Sequence, residues 1–414
     1  MKSSRGHKTI CIAFASEAHY RDCMQDKQKF HEYLNITYAQ RPELFPEAMR
    51  NGYKLNGFSF SKKQNIGMRR IRLVKDGAAY QIRPSFLMPY MIGRTDVVEK
   101  GLRLRQWAVP FEVIADLFSR DPMYWYRAYV GLGRHSIVGT TIKSPDKLPS
   151  DVLADEKHTR HKGERVYVPT TVAQECILGA DLTDNAGTIA LTQGYKVFQE
   201  EAHQLDPTYS PDTVNTDGWG PTQAAWKILF PQIVIMLCFL HAFLKIKQRC
   251  QRSKEQLYTI GTKVWHTYHA QTVAQFSQRI RRLREWSQQH LTGSVQQKVL
   301  DLCHKAPRFK IAFHFPTAYR TSNALDRLMN YQDRVLYAMQ YFHGDKTSAR
   351  QYLRAMALAW NFHPYGRKTQ IKYDGCRMSP FEGLNGFRYH DNWLHNLLIA
   401  ASMGGRNPQT QNPV

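Results

Sequence analysis

Asp155, Asp217 and Asp326 are the side chains of this sequence best suited to act together. Asp155 sits in LADEKHT, directly after a short apolar run, where a strand end is expected. Asp217 sits in TVNTDGW after β-branched residues, and Gly218 behind it allows a sharp turn or a close backbone approach. Asp326 sits in RTSNALDRLMNYQDRVLYAM, in the first turn of a helix opened by Thr321, Ser322 and Asn323, which have N-cap chemistry. Carboxylates gathered from distant parts of a chain suit hard cations such as Mg²⁺ or Mn²⁺, which take oxygen ligands. Two such ions about 4 Å apart activate an attacking oxygen and stabilise a leaving one in an in-line displacement at phosphorus. Asp333, about two turns beyond Asp326, and Glu382 in SPFEGLNGF are rivals for the third acid.

Several neighbours bear on the same chemistry. Glu156 and His158 adjoin Asp155 and are candidates for orienting it. Cys238 and His241 form a C-x-x-H pair that could be read as zinc ligands with Cys303 and His304. Adjacent Cys303-His304 is poor tetrahedral geometry, so a buried Cys238 and a hydrogen-bonded His241 near the acids is the better reading. Trp219 and Trp226 could stack on a base, but core packing is the simpler account of both.

The elements that must hold these groups follow from periodicity. Residues 151–159, 164–172 and 175–182 read as three strands, the second rich in β-branched residues. A helix over 192–205, a strand over 212–216, a helix over 223–229 and a buried strand over 233–237 follow. Three early strands can pair as an antiparallel meander, and the later ones add in parallel through helical crossovers. That succession is the order of an RNase H-like α/β fold with a mixed sheet. Asp155 and Asp217 are 62 residues apart, a connection that brings the end of the first strand beside the end of the fourth.

The chain of 414 residues carries a net charge of +23, which points to a polyanion partner, nucleic acid first. The charge is uneven. Residues 1–150 carry +12, residues 151–241 carry −6, residues 242–320 carry +12 and residues 321–414 carry +5. An acidic segment between basic ones fits metal ligation flanked by phosphate-gripping arms. Residues 1–97 form a basic, mainly helical region, with residues 61–72 its most charged part, read as either a solvated strip or a phosphate contact. Residues 98–135 read as short helices with tight turns, either a helix-turn-helix or a helical subdomain with Tyr124, Trp125 and Tyr126 in its core. Arg127 and Arg134 are its candidate phosphate contacts, and Lys245, Lys247 and Arg249 those of the all-helical stretch 242–320. Gly139, Pro145 and Pro149 mark 136–150 as a linker. Seven scattered cysteines without a CxxC pair fit reduced thiols in a cytosol. The longest apolar run, residues 228–243, is too short to span a membrane and reads as a buried strand leading into a helix.

The segment NTDGWGPTQAAWKILFP, with IVIMLCFLHAF behind it, resembles the second-aspartate region of DDE transposases of insertion sequences. Cys238-Phe239-Leu240-His241 is similar to the C-x-x-H element of the Mutator-like and hAT-like groups, ADEKHT to their first-acid strand, and TSNALD to their T-x-N-x-x-E helix. The resemblance covers residues 150–345. It implies an RNase H-like catalytic core at 150–241 and 321–400, interrupted by a helical insertion at 242–320. It also implies cleavage of double-stranded DNA and strand transfer with two Mg²⁺ or Mn²⁺ ions held by Asp155, Asp217 and Asp326. His241 would lie close to the scissile phosphate, and the protein would act as a dimer or larger assembly on DNA in a bacterial cytoplasm. The chain departs from the family at its third acid, where Asp326 stands for the usual Glu, which keeps Glu382 open as the alternative.

Overall fold

The computed structural model describes residues 8–250, 253–373, 375 and 378–405. Two sheets organise it. The first comprises β1 (Thr9–Ile12), β2 (Tyr53–Ser61), β3 (Ile66–Leu73) and β4 (Ala79–Pro84), in the order β1-β4-β3-β2, with β1 parallel to β4 and the other pairs antiparallel. The mainly helical reading of residues 1–97 is therefore corrected. Two helices, Glu17–Gln25 and Lys27–Gln40, are present, but a four-stranded sheet shares the region. Its strands escaped notice because β3 (IGMRRIRL) buries Ile66, Ile71 and Leu73 while exposing Arg70 and Arg72, so its charge masked its alternation.

The second sheet comprises β5 (Asp151–His161), β6 (Glu164–Ala173), β7 (Cys176–Ala180), β8 (Thr213–Thr216) and β9 (Val234–Leu237), in the order β7-β6-β5-β8-β9. β5, β6 and β7 form an antiparallel meander, and β8 and β9 add in parallel. The helices Thr188–Leu205 and Gly220–Leu229 make the crossovers. The first shows why it forms: Leu191, Tyr195, Phe198 and Ala202 recur at helical spacing and are all buried. They pack on one face of the sheet with Val152, Ala154, Val214 and Trp226. The opposite face, with Leu153, Val168 and Val172, joins a core shared with the first sheet and with helices Asn323–Ala338, Lys346–Phe362 and Trp393–Ala400. Successive residues of β5 thus serve two different cores.

The helices expected over 98–134 occur as Thr95–Gln106, Phe111–Phe118 and Pro122–Leu132. The last packs against Lys346–Phe362 and buries Trp125, Ala128, Tyr129, Val130 and Leu132, while Tyr124 and Tyr126 are half-buried, so the core reading of Trp125 holds. Gly133 ends it where a Cβ would meet the Gln351 carbonyl oxygen, which is how the two helices come so close. The linker expected over 136–150 is corrected too. Ile137–Thr141 is a short helix with Ile137, Val138, Thr140 and Thr141 buried, so its glycine marks close packing rather than a flexible tether. Residues 242–320 are helical in every named element. Lys254–Tyr268, Val273–His290 and Gly293–His304 surround their own core of Ile260, Phe276, Leu302 and Phe309. Residues 228–243 form β9 and the start of helix Phe239–Lys247, as expected. Among the described residues no helix is long and apolar enough to cross a membrane.

Candidate metal centre

The parallel register decides which acids meet. Asp151 pairs with Thr213, Val152 with Val214 and Leu153 with Asn215. Each pair is 62 positions apart, the separation of Asp155 and Asp217, so the two acids continue the register just past the last paired residues. Asp155 is not at the strand end expected from the apolar run before it, because β5 runs on to His161 as an arm paired with β6 and, at its tip, with Phe342. What ends just before Asp155, at Leu153, is the parallel pairing with β8. Asp217 begins the turn after β8, where Gly218 has φ of +98° and a Cβ would strike Leu237, so only glycine fits. Asp217 Oδ1 accepts the backbone N–H of Trp219 at 2.7 Å.

β9 delivers the next group. Cys238 extends the same register, its N–H bonded to Thr216 O at 2.8 Å, and N-caps helix Phe239–Lys247, which puts His241 in the first turn. The chain returning from the insertion is pinned beside it: Asn215 Nδ2 donates to Tyr319 O (2.7 Å) and Phe239 N–H to Arg320 O (3.0 Å). That clamp sets down Ser322 and the helix Asn323–Ala338 on the face of β5 that carries Asp155. Ligand atoms of Asp155, His241 and Asp326 all lie within 4.8 Å of one another, and among the described residues no other trio of His, Cys, Asp or Glu could hold a metal ion. His241 Nε2 is 4.0 Å from Asp155 Oδ2, and both side chains are part-exposed, at 23% and 18%.

Ser322 is the residue the sequence reading undervalued. It occupies the N-cap position but makes no side-chain cap. Its hydroxyl donates to Asp326 Oδ2 (3.2 Å), accepts from the Cys238 thiol (3.4 Å) and lies 3.3 Å from His241 Nδ1. With the hydroxyl proton given to Asp326, its lone pairs hold Nδ1 of His241 in the N–H form and leave Nε2 facing Asp155. A capping side chain contributes about 1 kcal/mol to a helix, so diverting one into the centre costs local stability. A serine in cap position followed three residues later by Leu325 rather than Glu or Gln was the available signal.

The electrostatics match the geometry. Burial, then the neighbouring Asp217 and Glu156 charges, push Asp155 up to about 7. His241 is pushed up to about 9, chiefly by its hydrogen bond with Cys238 and also by Asp155 and Asp326. The Cys238 thiol is raised by burial but ends below its ordinary value chiefly because the His241 ring hydrogen-bonds its ionised form. Glu156 points to the other face of β5, where Tyr195 (2.6 Å) and Thr222 (2.5 Å) both donate to Oε1, and burial raises it.

The other candidates separate cleanly. Glu382 accepts from Met378 N–H and Arg388 at 3.2 Å each and belongs to a different helix start. Asp333 is exposed and ion-paired to Lys157. His158 is exposed. Cys303 is buried in the insertion core with its thiol toward Ile280 O, so it forms no zinc set with Cys238. Trp226 is core, whereas Trp219 is half-exposed with Nε1 donating to Ala186 O. Arg127, Arg134, Lys245, Lys247 and Arg249 are all exposed. No protein-family profile and no curated protein matches the sequence.

Proposed function

We propose that this protein is a metal-dependent DNA strand-transfer enzyme of the transposase type, built on an RNase H-like core. The strand order β7-β6-β5-β8-β9 with its mixed sense supports the fold reading. The observation that carries the function is the convergence of Asp155, His241 and Asp326, with Asp217 set beside Asp155 by the parallel register. The donor set fits a hard cation: burial and then the charges of Asp217 and Glu156 push Asp155 up, as happens to an acid where positive charge belongs. Asp155, Asp217 and Asp326 would hold Mg²⁺ or Mn²⁺. Bound there, the ions would supply Lewis-acid activation of the oxygens exchanged at phosphorus.

The chain's own residues do the rest. Ser322 fixes the His241 ring through Nδ1, so Nε2–H can donate to a phosphate oxygen beside Asp155. Tyr195 and Thr222 hold Glu156, and through it the β5 backbone that aims Asp155. Water would be the nucleophile of the first cut and a freed 3′-hydroxyl that of the joining step. The test is cleavage and joining of linear duplex DNA in Mg²⁺ by the full chain. Asp326→Ala is expected to abolish both steps while DNA binding persists. Undiminished cutting by Asp326→Ala would sink the assignment, and Glu382→Ala behaving as the null instead would move the third acid there.

A further inference from the structure

A cavity of about 380 Å³ opens along the face of helix Asn323–Ala338 formed by Ala324, Arg327, Leu328 and Tyr331, a different face from that of Asp326. That volume is in the range of small-ligand sites. Its walls are aromatic. Trp360, Tyr365 and Tyr373 line it together with Trp107, whose side chain is 61% exposed. Its cations are Arg327, Arg334 and Lys372. Arg334 and Lys372 make no ion pair among the described residues.

The box is held rigidly. Gln174 and Glu175 form the two-residue turn between β6 and β7 with φ of 47° and 67°, a conformation that favours Asn-Gly. Side chains of larger cost are kept there, and Glu175 is used. Its main-chain oxygen accepts from Trp360 Nε1 (2.9 Å), and its carboxylate accepts from Tyr365 (2.6 Å) and Tyr373 (3.4 Å). The walls are thus set before any ligand arrives, and Glu175 is itself satisfied. Two other buried polar atoms of the lining are not. Gln106 Nε2 and His363 Nε2 have no hydrogen-bond partner among the described residues. Burial lowers His363 to about 4, so it is a neutral ring at ordinary pH. Unpartnered donors and acceptors behind aromatic walls, with cations at the mouth, describe the complement of a heterocycle carrying phosphate.

We propose that this cavity binds a nucleotide unit, its base between the aromatic walls and its phosphate at Arg334 and Lys372. The unit could be an unpaired nucleotide of a DNA strand or a free mononucleotide. The site shares a helix with the metal centre but needs no metal, so it stands apart from the strand-transfer reading.

The test uses the full chain in EDTA, which silences metal chemistry. The probes are a 2-aminopurine-labelled single-stranded dodecamer, the same sequence as a blunt duplex, 2-aminopurine deoxynucleoside monophosphate, and inorganic phosphate as competitor. Quenching of the single strand with the duplex silent assigns an unpaired nucleotide, and quenching of the monophosphate assigns a free one. Trp107→Ala, at an exposed position and checked by circular dichroism, is expected to weaken the quenched complex roughly tenfold. Arg334→Gln is expected to reduce the log–log salt slope of single-strand binding by about 0.7. Unchanged affinity and slope in both variants, or competition by inorganic phosphate as effective as by the nucleotide, would overturn the proposal.

Discussion

The same three side-chain types meet twice in this molecule, once at each sheet. At the end of β4, Ser85 Oγ lies 3.0 Å from His395 Nδ1, and His395 Nε2 lies 3.1 Å from Asp96 Oδ1. At the end of β8 and β9, Ser322, His241 and two aspartates form the candidate metal centre. On geometry alone the first set looks the more like a hydrolase triad. Its Ser85–His395 half is sealed, however, although the Asp96 side chain is 68% exposed. Ser85 is 1% and His395 5% exposed, and burial lowers His395 to about 4, so the ring is neutral. It ties helix Trp393–Ala400 to helix Thr95–Gln106 and to the end of β4, segments some 300 residues apart in the chain. The second set is open to solvent, holds a surplus of negative charge, and pushes both an aspartate and a histidine upward. Access and uncompensated charge separate a reactive centre from a structural lock, where the identity of the residues does not.

The sharpest way to break that contrast is to cross it. Under the proposed function, Asp155→Ala removes a metal ligand, and bound ions would supply several kcal/mol of transition-state stabilisation, so cleavage of duplex DNA should fall by at least about a thousandfold. Its thermal unfolding without metal should be no worse than wild type. Ser85→Ala should do the reverse: cleavage within about twofold of wild type, and stability lower by about 1–3 kcal/mol, because His395 Nδ1 loses its buried partner. Gel-based cleavage rates and urea titrations of both variants give the four numbers. Loss of cleavage in Ser85→Ala at temperatures where it stays folded would show that the lock is not merely structural.

The next largest effect is on stability against pH. An acid raised to about 7 in the folded state binds more protons folded than unfolded between pH 4 and 7, so stability falls as pH rises across that window. His241, raised to about 9, is stabilising below its unfolded value near 6.5, and that contribution is lost as pH climbs to about 9. Both run the same way. The metal-free protein is therefore expected to lose roughly 1–4 kcal/mol from this centre between pH 5 and pH 8. Mg²⁺ or Mn²⁺ should raise Tm at pH 8 and do little at pH 5. Asp155→Asn should flatten both responses, and an unaltered pH profile in that variant would separate the centre from the effect.

Much of the second sheet was legible because its strands are β-branched runs bounded by turns, and the offset between Asp155 and Asp217 was already the register of β5 on β8. The sequence could not show where Asp155 lies along its strand, since polar Asp-Glu-Lys-His continues an arm whose partner is β6. It could not show Ser322 either. Whether a hydroxyl caps its helix or turns toward His241 depends on where the chain returns from the insertion, through the Tyr319 and Arg320 clamps. The first sheet was missed for the converse reason. β2 and β3 carry Lys54, Arg70 and Arg72 on an open face, and charge at alternate positions hides a strand from a reading tuned to apolar runs. The helices expected over 98–134 are present, and helix Lys346–Phe362, distant in sequence, packs on Pro122–Leu132, while Arg127 and Arg134 stay exposed.

The smallest predicted effect separates the two basic regions. In the insertion, Lys305 is lowered by burial and then by Lys245 and other cations around it, a crowding of like charge that an anion would relieve. Lys245 lies in helix Phe239–Lys247 and faces Lys305 closely enough to lower it, and Arg249 follows just beyond the helix end. Near residue 134 the cations are sparser, and Arg134 already rests over the Tyr90 ring at 4.9 Å. If the insertion grips the phosphate backbone, Lys245→Ala and Arg249→Ala should each lower the log–log salt slope of duplex binding by about 0.9 and weaken binding a few-fold, whatever the DNA sequence. Arg134→Ala should change the slope less. Fluorescence anisotropy from 50 to 200 mM salt measures all three. A larger slope change from Arg134→Ala than from Lys245→Ala would hand the main phosphate contact back to the N-terminal helices.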